Sequence, residues 1–103
     1  MVGERDDITV EAFAWYYGPE GNVAHLAAHD VTVEDVYSVL AGRPLYYRNL
    51  PGRRATHVMI GRDQRRRSLF VTLLATAEPG EWLPVTGWRS AVAHRILAQE
   101  GRT

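Results

Sequence analysis

At 103 residues the chain has room for one domain, spanning 1–103, and one core, so any function has to sit on a single fold. It contains no cysteine, which excludes a disulfide framework, a thiolate metal cage and a cysteine nucleophile. The formal net charge of zero hides a separation: residues 1–42 sum to −7 and residues 43–103 to +7, every base being arginine, and such an imbalance points to a basic face suited to a polyanion.

The opening MVGERDDITV is acidic, without a basic region followed by an apolar core, and no apolar run approaches the roughly 18–20 residues a bilayer requires. A soluble, cytoplasmic protein with no membrane partner is the expectation. ITVEAFAWYY (8–17) is rich in β-branched and aromatic residues and predicts a first strand that stops at Gly18-Pro19. Pro19 suits the first turn of a helix over roughly 19–29, with Val23, Leu26 and Ala27 on one face. Thr32 with Asp35 three residues on resembles a capping box, and Val33, Val36, Tyr37 and Leu40 form the apolar stripe of a second helix that Gly42 and Pro44 stop.

From there the period changes. LYYRN (45–49), THVMIG (56–61), SLFVTLLAT (68–76) and WLPVTGW (82–88) predict four strands separated by turn signals. SLFVTLLAT, the most apolar, is the expected central strand, and Pro84 points to an edge or a bulge in the last one. A helix from Ser90 to Gln99, followed by Gly101, closes the chain. The order β-α-α-β-β-β-β-α predicts an α+β domain with helices packed on a mostly antiparallel sheet.

The densest chemical signal is PGRRATHVMIGRDQRRR (51–67), where Arg53, Arg54, Arg62, Arg65, Arg66 and Arg67 surround an apolar strand. Such a cluster can neutralise phosphates, giving affinity that weakens steeply with salt, or can be a solvated hairpin with a polar turn. His25 and His29 lie four residues apart on one helical face and suit structural bonds at the helix ends or acid/base and phosphate contacts. Metal binding by the pair is disfavoured, since no glutamate follows the first histidine and no third ligand is evident. His57 and His94 have no local partner and read first as structural. Trp15, Trp82 and Trp88 with the neighbouring tyrosines offer stacking surfaces for bases, or core. There is no glycine-rich phosphate loop, nucleophile elbow or paired-carboxylate motif, so no cofactor is expected.

In order along the chain, FAW (13–15), HLAAHDV (25–31), TVEDVYSVL (32–40), HVMIG (57–61), RRSLFV (66–71), VTGWR (85–89) and AVAHRIL (91–97) resemble the motifs of the BrnT-like toxins of bacterial type II toxin–antitoxin modules. Those are small ribonucleases related in fold to the RelE toxins. The chain departs from the pattern at Asp30 and Arg66, where glycine is usual, at Ala28 and His57, where a basic residue is common, and at Trp88, which precedes Arg89 where arginine is expected.

The resemblance implies a RelE/BrnT-like fold and an endoribonuclease that cleaves RNA without a metal and so inhibits translation. It also implies a DNA-binding antitoxin encoded nearby as partner, in a dimer or hetero-oligomer. In-line attack by the RNA's own 2′-hydroxyl needs a base, a proton donor and positive charge at phosphorus. Arg62 and Arg67 are the candidates for phosphate charge, His29 or His57 for proton transfer, and His25, Arg53, Arg54, Arg65, Arg66 and Arg89 for substrate binding. A second reading is a catalytically silent module of the same fold, acting through its protein partner, which the altered arginine positions favour.

Overall fold

Apolar patterning builds the sheet and the helix faces much as expected in the structure, a computed structural model that describes residues 2–102. The chain runs β1 (Ala12–Phe13), α1 (Asn22–Ala27), α2 (Val33–Ala41), β2 (Leu45–Arg48), β3 (His57–Arg62), β4 (Ser68–Ala75), β5 (Glu81–Arg89) and α3 (Ala91–Gln99). The five strands form one mixed sheet in the order β1-β5-β4-β3-β2, antiparallel throughout except where β1 lies parallel to β5. The α+β architecture and its element order are therefore those expected.

β4 is central because its sequence can be buried on both faces. Leu69, Val71 and Leu73 point to one side and join Leu26, Val36 and Val39 of α1 and α2 in one core. Phe70 points to the other and joins Leu45, Val58 and Ile60 with Ala93 and Leu97 of α3 in a second. A near-continuous apolar run is what a strand covered on both faces needs. Burying each such leucine contributes about 1.5–3 kcal/mol.

The first strand is shorter than expected, two residues instead of Ile8 to Tyr17, and α1 begins at Asn22 instead of Pro19. Asn22 causes both differences. Its side-chain oxygen accepts from the Tyr16 N–H at 2.8 Å, and its amide donates to the carbonyls of Ala14 at 3.0 Å and Pro84 at 2.8 Å. Backbone groups that would have extended the strand are bonded to a side chain instead. Gly21, just before it, lies so close to Tyr16 that any Cβ would collide with the Tyr16 carbonyl.

All three helices end on a residue in the left-handed region: Asp30 (φ 60°), Arg43 (φ 54°) and Gly101 (φ 73°). After α1, the N–H groups of Val31 and Asp30 return to the carbonyls of Leu26 and Ala27, the pattern of a Schellman turn, with Val31 and Leu26 packed in the same core. Asp30 thereby takes the place glycine usually fills. The capping box of α2 is formed, Thr32 and Asp35 exchanging side-chain and backbone bonds at 3.0 and 3.1 Å. Pro84 sits at a bulge, where the register shifts between Thr72 and Leu73 and Thr72 Oγ1 bonds both the N–H and the carbonyl of Thr86. The N-terminal segment bonds along β2 through Gly3, Glu4 and Asp6.

Removing the Asn22 side chain leaves buried backbone groups without partners, a penalty of about 1–3 kcal/mol for each group. Asn22→Ala is therefore expected to lower the urea midpoint by an amount equivalent to about 2–3 kcal/mol with an unchanged slope. A loss under about 0.5 kcal/mol would refute this account of the corner.

Candidate nucleic-acid interface

The β3–β4 connection carries three of the cationic residues, Arg65, Arg66 and Arg67, and is organised by one acid. Asp63, whose side chain is fully buried, accepts from the N–H groups of Arg65 at 3.0 Å and Arg67 at 2.8 Å, and from Arg67 Nε at 2.8 Å. The turn closes with Asp63 N–H bonded to the Arg67 carbonyl and Arg66 in the left-handed region at φ 64°.

Two acids from the other half of the chain then reach the same turn. Arg67 bonds Asp30 at 3.2 Å and Asp35 at 3.2 Å, and Arg65 bonds Asp35 at 3.0 Å and Asp30 at 3.4 Å. Burial of Asp35 opposes its ionisation, but hydrogen bonds from Thr32, Arg65 and Gln64 outweigh it and hold the carboxyl below its ordinary value. The charges of Arg65 and Arg67 are thus neutralised within the protein, and the Arg67 side chain is only 13% exposed.

Three arginines other than Arg65 and Arg67 meet on the adjoining surface. Arg62, Arg66 and Arg89 line an open cleft of about 460 Å³ with His94, Ser68 and Ser90, and one side of Arg67 closes it. Among the described residues no carboxylate lines this cleft. Arg62 Nη1 donates to Ser68 Oγ at 2.9 Å, and Ser68 Oγ lies 3.4 Å from His94 Nδ1. Arg62 Nε is the single buried side-chain polar atom without a partner among the described residues. Register explains the convergence: Arg62 pairs with Ser68 at the end of the β3–β4 ladder, Leu69 pairs with Arg89, and the Ser90 N–H bonds the Ser68 carbonyl where α3 begins.

His57 is not brought to this cleft. It stands at the other end of β3, five residues or roughly 17 Å from Arg62. Its ring, buried, bonds Asp6 Oδ2 at 2.8 Å and Thr56 Oγ1 at 2.9 Å and meets the Trp82 edge, tying the N-terminal segment to the sheet. His25 and His29 are exposed on and just after α1; the His29 ring lies 6.4 Å from that of Trp88. Arg53 and Arg54 flank a second hollow of about 340 Å³, over Phe70 and Trp88, which shares Ser90 with the cleft. Among the described residues no three His, Cys, Asp or Glu side chains are grouped as a metal would require.

The residues that sequence reasoning missed are Ser68 and His94. For His94 the signal is the spacing in WRSAVAH, where Ser90 caps α3 through the Ala93 N–H and His94 follows one turn later; Ser68 carries no local signal.

The carboxylate network has a pH signature. Because folded Asp35 is held below its ordinary value, its contribution is fully present above about pH 4 and is lost as the pH falls through the depressed folded value. Asp35→Asn is expected to cost about 3 kcal/mol at neutral pH and to flatten the acid limb of the stability profile measured by urea unfolding below about pH 4. An equally steep acid limb in the variant would assign that limb to other carboxylates. Compared with protein-family models, with curated proteins and with solved structures, the chain matches none.

Proposed function

We propose that the cleft bounded by Arg62, Arg66, Arg89 and His94 binds RNA phosphate and that the protein is a metal-independent ribonuclease toxin of the BrnT-like, RelE-related kind. The observation that carries the reading is a set of unneutralised arginines around a histidine, with no acid in the lining. Arg62 donates to Ser68 Oγ, which lies beside His94 Nδ1; in the tautomer with the proton on Nδ1, His94 donates to the same oxygen and Nε2 is the basic nitrogen. That nitrogen takes the proton of the 2′-hydroxyl as the 2′-oxygen bonds to phosphorus. The bond from phosphorus to the 5′-oxygen breaks, and the leaving oxygen takes a proton from water. Arg62, Arg66 and Arg89 hold the charge that builds on the phosphorane oxygens.

Backbone geometry supports the kinship in fold. At the two positions where the BrnT-like pattern has glycine, this chain has Asp30 and Arg66, and both adopt left-handed φ values of 60° and 64°, a region glycine enters freely. The expected roles shift accordingly: Arg62 keeps its place at the phosphate, His94 takes the proton transfer assigned to His29 or His57, and Arg67 becomes a support for the turn.

A cognate antitoxin covering this cationic surface with acidic groups is part of the proposal. The second reading, a silent binding module, draws on one specific observation: Arg67 and Arg65, two of the expected phosphate ligands, are already paired with Asp30, Asp35 and Asp63.

Incorporation of labelled amino acid after induction in bacteria, with total RNA examined in the same samples, separates the two. The parent is expected to stop translation and fragment RNA. His94→Ala and Arg62→Ala are expected to cut RNA cleavage at least about 100-fold, with His25→Ala unaffected. Arg67→Ala would be a poor probe because it strips two buried carboxylates of their partner. Unchanged toxicity in both site variants would dismiss the proposed site; intact RNA and translation with the folded parent would favour the silent module.

A further inference from the structure

The hollow beside the cleft differs from it in chemistry. Its floor is apolar: Phe70 and Trp88 stack with ring centroids 4.9 Å apart and planes 25° from parallel, and Val85 and Val92 border them. Arg53 and Arg54 stand exposed at its rim, and Ser90 belongs to both hollow and cleft. Trp88 is half-buried, so part of the indole that Phe70 does not cover faces outward, and the stack fixes its rotamer before any ligand arrives. A pre-set aromatic platform next to cations suits a planar, uncharged ring carried on an anionic backbone.

Three of the polar side chains of the hollow are already engaged. Asn49 donates to the Ala55 carbonyl and accepts from the Leu50 N–H, both at 2.9 Å, while Thr72 Oγ1 is held by Thr86 and Ser90 Oγ by the Ala93 N–H. What remains to meet a base edge is the Thr86 hydroxyl and the flexible rim arginines, too few fixed groups to select one base. Recognition through this surface is therefore by stacking and shape, which every base offers alike.

We infer that the hollow over Phe70 and Trp88 receives an unpaired nucleobase of the strand whose phosphate lies in the arginine cleft, and that it does so without choosing among bases. The inference rests on the RNA reading of the cleft and adds a preference for single-stranded substrate, since a base paired in a duplex reaches the indole only at the cost of unpairing and unstacking. Arg53 and Arg54, expected from the sequence as substrate ligands, then serve the backbone on the far side of the stacked base.

The test compares binding of a short, mixed-sequence, 2′-O-methylated RNA, which lacks the attacking hydroxyl, with binding of the same backbone stripped of its bases. The parent is expected to prefer the base-bearing strand by about tenfold or more, Trp88→Phe to keep most of that preference, and Trp88→Ala to reduce it below about twofold with the salt dependence unchanged. Exchanging purines for pyrimidines should change parent affinity by less than about threefold. Emission supplies a check that does not depend on the alanine variant folding: the component lost between parent and Trp88→Phe is expected to be quenched by the base-bearing strand and not by the stripped one. Equal, salt-dependent binding of both strands by the parent would overturn the stacking inference and leave the RNA reading standing. Absence of salt-dependent binding to either strand would overturn both.

Discussion

Five charged side chains from three distant segments meet at the β3–β4 turn: Asp30 from the end of α1, Asp35 from the start of α2, and Asp63, Arg65 and Arg67 from the turn itself. The acidic first half and the basic second half of the chain are joined there. A cluster of this kind gains little over an apolar alternative, because desolvating the ions offsets much of their attraction, but it fixes how the parts lie relative to one another. With Asp63 also bonding two backbone N–H groups, the turn has one arrangement, and the strand ends on either side of it are set.

Those strand ends carry the cleft. Arg62 and Ser68 flank the turn and pair across the ladder, so any movement of the turn moves the arginine and the serine that holds the histidine. The network also divides the arginines by task. Arg65 and Arg67 face acids and keep the architecture, while Arg62, Arg66 and Arg89 line a surface without acids. Local charge density in the sequence does not distinguish Arg62 and Arg66 from Arg65 and Arg67, which sit within a few residues of them.

Fold was legible wherever its cause is local. The capping box of Thr32 and Asp35, the doubly buried run of β4, the bulge at Pro84 and the glycine after α3 all depend on residues within a few positions of one another. What was not legible depends on partners far apart in the chain. β1 is short because Asn22 bonds Ala14, Tyr16 and Pro84, and no period in ITVEAFAWYY encodes that. For the site, the arginine cluster was visible but its neutralisation was not, since Asp30 and Asp35 lie some thirty positions upstream of the arginines they bind. His57 was drawn in by its neighbours in sequence, yet strand geometry carries it to the opposite end of β3; His94 was passed over because Ser68 approaches it from a strand, 26 positions away.

The two margins of the sheet are treated differently. Along β2 the segment from Gly3 to Asp6 forms backbone bonds and presents Glu4, Arg5, Asp6 and Asp7, charges that discourage a further strand from adding there. On the far side β1 reaches only from Ala12 to Phe13, opposite Glu81 and Trp82, and Asn22 bonds the Pro84 carbonyl, so the outer edge of β5 beyond Pro84 has no strand beside it. A sheet with one blunted and one open margin can be extended only once: two copies joined margin to margin would consume both open edges and leave none for a third. Edge-to-edge growth into a fibre is disfavoured by this arrangement of margins.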